Sequence, residues 1–432
     1  MRLRVGEVAA ATQGRLVGPD VVVDGATTDS RTVSGGELFV PLVAERDGHD
    51  FVTAAVEAGA SAYLTAEGAR GGSAVEVEDT GAALLALGGL ARARLPERVV
   101  GVTGSVGKTS TKDLLAAVFR RTWVTVASPR SFNNELGVPL TLLNAPEGCQ
   151  AAVIEMGTRG PGEIARLCAV ALPTVGVVTM VAAVHTETFG TIEEVARAKA
   201  ELVAALPAEG TAVLNSADPR VRRMADASRA TVLLFGEGGD VVAEAVVVDE
   251  GLRPSFRLRS PWGDEAVRLA VRGAHQVENA LAAAAAALAC GVPIGEVAAG
   301  LGDAALSPWR MQLDRTASGA LVLNDAYNAN PTSMAAALRS LAALPARRRV
   351  ALLGTMAELG PSSAEQHRAT ADLARQLGIR VIAVDEPGYG VAVARPEAAL
   401  DALGPLEEGD AVLVKGSRVA GLERLAERLT RR

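Results

Sequence analysis

Gly104, Gly107, Lys108 and Thr109 lie in VVGVTGSVGKTSTKDLL, residues 99–115, where an apolar run enters a glycine turn and a helical pattern opens at Lys108. That order builds a phosphate-binding loop. The backbone N–H groups of a tight turn and the positive end of the following helix converge on one point, where they can hold a nucleotide polyphosphate. Lys108 would reach the β- and γ-phosphates, and the Thr109 hydroxyl would ligate the accompanying Mg2+. The loop departs from the strict G-x-x-x-x-G-K-S/T form, because Val102 stands at the first glycine position and Gly104 comes late. The competing reading is a structural glycine turn before a basic helix start.

Three more side chains could do chemistry beside such a loop. Glu155 ends the apolar run AAVIE, and a carboxylate at the end of a buried strand meets a metal or ligand, or else serves as a cap or ion-pair partner. His185 follows another such run and is either a site histidine or an ordinary hydrogen-bonded one. Lys199 sits in TIEEVARAKAELVAAL, residues 191–206, where Thr191 and Glu194 form a capping box and predict a helix start. Ile192, Val195, Ala196, Leu202, Val203 and Leu206 share one face, with Lys199 in its middle. Glu193, Arg197 and Glu201 share the other as an i,i+4 charge ladder. Lys199 either snorkels its ammonium to water or is desolvated, with an amine partly neutral and nucleophilic. A neutral amine can add CO2 and become a carbamate, turning a cation into a metal-binding anion.

The elements that must position these groups alternate along the whole chain. Its 432 residues suggest about three domains at about 150 residues each. Short apolar runs alternating with helical segments predict an α/β fold. A first block, residues 1–98, carries runs at 37–42 and 61–65. A second, 99–305, holds the phosphate loop, strand candidates at 151–155 and 174–181, and an antiparallel ribbon around 241–271. A third, 306–432, has strand candidates at 320–324, 349–353, 380–384 and 411–414, which form a second open parallel sheet with ligands beyond the strands' carboxyl ends. The start of the chain lacks the pattern of a signal peptide, and the alanine-rich run 280–289 is too short to span a bilayer, so the expected location is the cytoplasm. Three isolated cysteines predict reduced thiols. A net charge of −7 and a pI near 5.4 argue against a nucleic-acid surface, so an anionic substrate must be met by local basic groups.

Five stretches, TTDSRTVSGGELFV, SFNNELGVPLTLL, EMGTRGPGEIARL, NDAYNANPTSM and VLVKGSR, together with the loop and Lys199, resemble the Mur ligases, the ATP-dependent amide-forming family of bacterial cell-wall synthesis. The similarity runs over nearly the whole length. The resemblance implies three α/β domains, with a central P-loop parallel sheet and a Rossmann-like C-terminal domain. Within the family, the YNANP turn resembles the branch that adds D-alanyl-D-alanine to UDP-N-acetylmuramoyl-tripeptide in peptidoglycan synthesis. Thr355 stands where the family usually has an acidic residue, and Ser131-Phe132 replaces a more usual Gly-Asn before Asn133.

Position by position, the resemblance implies an ATP site of Gly104, Ser105, Gly107, Lys108, Thr109, Ser110, Asn279, Arg310, Asp325, Asn328 and Asn330. It implies two Mg2+ ions held by Thr109, Glu155, His185 and the carbamate formed from CO2 on Lys199, with Lys108, Glu155, His185 and Lys199 catalytic. It puts Ser30, Arg31, Asn133, Asn134, Tyr327 and Lys415 against substrate, and the Ser30-Arg31 pair at the uridine nucleotide. Residues alone read differently at several positions: a strand-end turn at Ser30-Arg31, an Asx-rich helix entry at NDAYNANP and a solvated turn at Lys415. A monomer with no membrane or nucleic-acid partner is expected. Rival functions are another amide ligase of this fold, such as a tripeptide-forming Mur ligase or a folylpolyglutamate synthase, a P-loop NTPase switch or binding module, and a small-molecule kinase. No N-K-x-D guanine-reading motif is present.

Overall fold

A computed structural model describes residues 1–182 and 189–431. At its centre lies a six-stranded, wholly parallel sheet. Its spatial order is Thr231–Phe235, Thr211–Asn215, Val175–Val178, Val99–Thr103, Ala151–Glu155 and Thr125–Ala127. Every residue of Val99–Thr103 and Ala151–Glu155 is buried, as strands covered on both faces require. The chain leaves Val99–Thr103 toward one edge and later returns on its other side at Val175–Val178. The carboxyl end of Val99–Thr103 is therefore a topological switch point, flanked by Glu155 and Thr179.

The helix Lys108–Arg120 packs on this sheet beside the alanine-rich helix Gln276–Ala289. Ala280 and residues 282–287 are fully buried. Side chains this small let the second helix approach the first closely enough to bring Asn279 to the phosphate loop. The antiparallel ribbon forms as expected from Val242–Val248, Pro254–Ser260 and Gly263–Arg268.

Residues before the central sheet form a five-stranded sheet, ordered Arg15–Val17, Ala74–Glu76, Ala62–Thr65, Leu38–Phe39, Ala26–Thr27, and a small antiparallel pair, Arg2–Arg4 with Val22–Asp24. The run 37–42 is a strand only over Leu38–Phe39, since Pro41 lacks the N–H that further pairing needs. The run 174–181 is likewise a strand only over Val175–Val178. Leu3, Val8, Leu84 and Leu87 share one apolar cluster with Val99, Val138, Ile154 and Leu167 of the central region. The third region builds its own sheet, ordered Gln312–Arg315, Leu321–Asn324, Asp410–Lys415, Arg348–Leu353, Arg380–Val384, Val393–Ala394, parallel except for its first pair. Two separate apolar clusters cover it, and of the preceding residues only Leu252 joins them among those described.

The helix Ile192–Ala204 begins at the predicted capping box. Its charge ladder does not form. Arg197 lies 3.6 Å from Glu194, Glu193 reaches Arg220 at 2.9 Å, and Glu201 accepts the N–H groups of Gly162 at 2.7 Å and Ala165 at 3.0 Å. Amides at the start of the neighbouring helix Glu163–Ala171 outcompete an exposed i,i+4 pair, which stabilises by only about 0.2–0.5 kcal/mol. The cysteines are free thiols, and burial pushes Cys168 and Cys290 up to about 12. No helix among the described residues is long and apolar enough to cross a membrane.

Asn144 ties the first sheet to the centre. Its Oδ1 accepts from the Ala26 N–H at 3.1 Å, while its Nδ2 donates to the Ala26 carbonyl at 2.8 Å and to that of Leu140 at 2.9 Å. Replacing it by alanine strands both polar groups of a buried backbone unit. Asn144→Ala should lower stability by about 1–3 kcal/mol, read as an earlier first transition in urea, with nucleotide binding retained by the folded variant.

Candidate functional site

A cleft of about 790 Å3 opens between the central and third regions. Its floor is the phosphate loop. Gly104 has φ +147° and Gly107 has φ +90°, conformations that favour glycine. A Cβ on Gly104 would stand 1.8 Å from Thr179 Oγ1, and one on Gly107 would stand 2.3 Å from Asn279 Oδ1. Thr179 Oγ1 donates to the Val106 carbonyl at 2.6 Å, and Asn279 Nδ2 donates to Gln276 Oε1 at 2.8 Å. The loop is thus clamped between the end of a strand and a neighbouring helix. Lys108 Nζ folds back onto the Gly104 carbonyl at 2.7 Å, and Thr109 and Ser110 lie buried in the first turn behind it.

Glu155 faces this floor from the adjacent strand end and is 1% exposed. Its Oε1 accepts from Asn133 Nδ2 at 2.9 Å, and its N–H donates to Ser128 Oγ at 3.0 Å. Its Oε2 is buried with no hydrogen-bond partner among the described residues. A buried carboxylate oxygen left open beside a threonine-bearing phosphate loop fits a hard divalent cation, which takes oxygen ligands.

Lys199 is 3% exposed and does not snorkel. Among the described residues its ammonium has neither an ion-pair nor a hydrogen-bond partner. Burial holds its pKa well below the usual lysine value, and the Lys108 charge pushes the same way against Glu201. Burial also lowers Lys108, opposed by Glu155 and assisted by the Arg310 guanidinium.

The roof comes from the third region. The Arg310 guanidinium stacks over the Tyr327 ring at 4.3 Å, and Lys415 Nζ meets Asp325 Oδ2 at 2.5 Å and the Asn328 carbonyl at 2.9 Å. Asp325 Oδ1 also accepts from the Met311 N–H at 3.1 Å. Asn330 caps the helix Pro331–Ala343 through the Ser333 N–H at 2.9 Å, so the Asx helix entry is real and lies in the cleft wall. Tyr327 reaches across to Ser131 in a hydroxyl–hydroxyl contact. His275 sits between the two sides. Burial lowers its pKa, Asp325 opposes that shift, and Lys415 adds to it.

The structure therefore brings Ser105, Gly107, Lys108, Thr109, Ser110, Asn133, Glu155, Lys199, Asn279, Arg310, Asp325, Tyr327, Asn328, Asn330 and Lys415 to one cleft. Gly104 lies behind the loop it shapes. Asn134 is spent on the helix Gly137–Leu143, accepting the Gly137 N–H at 3.0 Å. Ser30 and Arg31 stand apart in the first region, where Arg31 pairs with Asp29 at 2.7 Å and shows a free outer face. His185 lies outside the described residues. Lys108, Arg159, Lys199, Arg310, Lys415 and Arg418 give the cleft a basic lining within an acidic chain, as an anionic substrate requires. Sequence reasoning missed Thr179 and Gln276. The place of Thr179 just past a buried strand was the available signal, whereas Gln276 had none.

The description "Mur ligase middle domain" matches residues 102–287, and "Mur ligase, glutamate ligase domain" matches residues 309–418. The UDP-N-acetylmuramoyl-tripeptide--D-alanyl-D-alanine ligase of Mycobacterium leprae is 40% identical, over 92% of this chain and 91% of its own length. Among solved structures, MurF from Acinetobacter baumannii superposes with a TM-score of 0.88 at 31% identity, covering 99% of both chains. MurF from Thermotoga maritima in complex with ADP does so at 0.81 and 29%, covering 94% of this chain and 97% of the other. With this sequence identity along almost its full length, and with a three-domain α/β architecture shared with those structures, the chain belongs to the Mur ligase family.

Proposed function

We propose that this Mur ligase joins D-alanyl-D-alanine to the free carboxylate of UDP-N-acetylmuramoyl-tripeptide, at the expense of ATP, in peptidoglycan precursor synthesis. The observation that carries the reading is the meeting, in one basic cleft, of the phosphate loop, the open Glu155 oxygen and the Arg310–Tyr327–Asp325–Lys415 group of the third region. The M. leprae relative, whose name states this reaction, supports the choice of acceptor and dipeptide. The reaction runs in two displacements. A tripeptide carboxylate oxygen attacks the γ-phosphorus of ATP and ADP leaves, giving an acyl phosphate. The dipeptide amine then attacks the acyl carbon and phosphate departs.

The protein's part is to position and to stabilise charge. Loop N–H groups and Lys108 hold the phosphates, and Asn279, which props the loop, would also meet the adenine. Arg310 and Asp325 approach the nucleotide from the roof, with Asn328, Asn330, Tyr327 and Lys415 around the incoming substrates. Asn133 orients Glu155. Thr109 and Glu155, with His185 and Lys199, would hold two Mg2+ ions, which supply Lewis-acid stabilisation of phosphoryl charge. A buried lysine with no partner among the described residues supports a neutral amine, the form that adds CO2, and a carbamate at Lys199 would give the site a second anionic ligand. Ser30 and Arg31 take the uridine nucleotide in the first domain.

We further read the domains as 1–98, 99–305 and 306–432. Apolar packing fuses the first to the second and leaves the third on its own core, which supports closure of the third domain over bound ATP and exclusion of water. A cytoplasmic monomer fits these substrates.

Phosphate release from Mg-ATP should require both UDP-N-acetylmuramoyl-tripeptide and D-alanyl-D-alanine, with mass spectrometry finding a product heavier by one dehydrated dipeptide. Release indifferent to the dipeptide would sink the assignment. Lys199→Ala should cut ligation by on the order of 10²-fold or more, and formate or acetate should restore part of it. Full activity in the alanine variant would exclude the carbamate. Because the folded pKa of Lys199 lies below the unfolded value near 10.4, the unfolded chain binds more protons between the two. Stability of the wild type should therefore rise with pH across that window. In CO2-free buffer, Lys199→Met should melt above wild type at neutral pH, with the gap closing toward pH 10.

A further inference from the structure

Lys112 lies one turn past Lys108 on the same helix, yet it points away from the cleft and is only 2% exposed. Its Nζ donates to the carbonyls of Ser128 at 2.9 Å and Arg130 at 3.0 Å, and meets Asp113 Oδ1 at 2.5 Å. Those carbonyls belong to the segment 128–133, which wraps Glu155. Ser128 Oγ takes the Glu155 N–H, Asn133 Nδ2 holds Oε1, and the Asn133 carbonyl accepts the Gly157 N–H at 2.7 Å. Between these contacts Arg130 adopts φ +49°, a left-handed conformation that a side-chain-bearing residue keeps only when its surroundings impose it. The bond from Lys112 to the Arg130 carbonyl acts at that point. Two further contacts extend the arrangement to the third domain. Ser131 meets the Tyr327 hydroxyl, and Asp113 Oδ2 accepts the Ser307 N–H at 2.7 Å where the chain enters that domain.

A lysine ammonium is costly to bury, and a methionine of similar length would fill the same space while leaving two carbonyls unpaired. We propose that Lys112 is a positioning residue for ligation: by holding segment 128–133 it sets the direction in which the open Glu155 oxygen faces the phosphate loop, and through Asp113 and Ser131 it ties that setting to the third domain. The proposal rests on the reading of Glu155 as a magnesium ligand. The Lys112 side chain does not line the cleft, and its ammonium acts on the carbonyls of the segment it holds.

The test measures ADP binding by calorimetry across a Mg2+ titration, with binding of a uridine nucleotide and thermal unfolding as controls. In Lys112→Met the Mg2+ midpoint should rise by about tenfold or more, while uridine-nucleotide affinity stays at the wild-type value. Adding Arg130→Gly should recover most of that shift, because glycine accepts φ +49° without a lysine to enforce it. A purely structural lysine predicts no such rescue. A folded Lys112→Met with an unchanged Mg2+ midpoint overturns the proposal, and so does a shift that Arg130→Gly leaves untouched. If the methionine variant does not fold, Lys112→Gln carries the same comparison, since its amide can donate to one carbonyl but not bridge both as the ammonium does. Glu155→Gln separates the two readings. An unchanged Mg2+ midpoint there removes Glu155 as a ligand, whereas a raised midpoint there beside an unchanged one in Lys112→Met removes the role of Lys112 alone.

Discussion

The site depends on the contact of two glycines with two side chains. Gly104 lies against Thr179 and Gly107 against Asn279, closer than any Cβ would allow. This constraint couples three elements that are distant in the chain: the strand Val99–Thr103 with its following helix, the end of Val175–Val178, and the helix Gln276–Ala289. The alanines of that last helix belong to the same constraint. Larger side chains would hold it farther from Lys108–Arg120 and withdraw Asn279 from the loop.

Electrostatics then follows from what the clamp leaves unpaired. Lys108 and Lys199 lie in one buried corner, and both are driven toward the neutral form by burial, while Glu155 keeps one oxygen without a donor among the described residues. Such a corner is costly to bury, and the polyphosphate and divalent metal proposed to bind there would satisfy it. Stability is spent here to preorganise a site for charge that arrives with the substrates.

The third domain completes the site mainly through polar contacts; among the described residues, only Leu252 and Leu306 link its apolar clusters to the central one. Its cations are already paired internally, Lys415 with Asp325 and Arg310 with the Tyr327 ring, so it presents an ordered surface to the nucleotide. The first domain is joined to the centre by continuous packing and by Asn144. The first joint is therefore built on continuous apolar packing and the second mainly on polar contacts, the asymmetry on which the proposed closure of the third domain rests.

Much of this was legible in the residues. Periodicity predicted the strands Ala151–Glu155 and Arg380–Val384 to the residue, the capping box placed the start of Ile192–Ala204, and the glycine spacing located the phosphate loop, because each of these signals is local in the chain. The fate of Lys199 was not local. Its place on an apolar face allowed either snorkelling or burial, and only the packing of its helix against the cleft decided for burial. The same holds for Glu201, which left its predicted partner for the amides of a neighbouring helix, and for Asn134, whose Oδ1 accepts the Gly137 N–H at the start of a helix. Sequence by itself determined which residues were equipped for phosphate, metal and amine chemistry. Which of them met in one cleft was decided by tertiary structure, because desolvation and hydrogen-bond competition depend on neighbours that chain order does not specify.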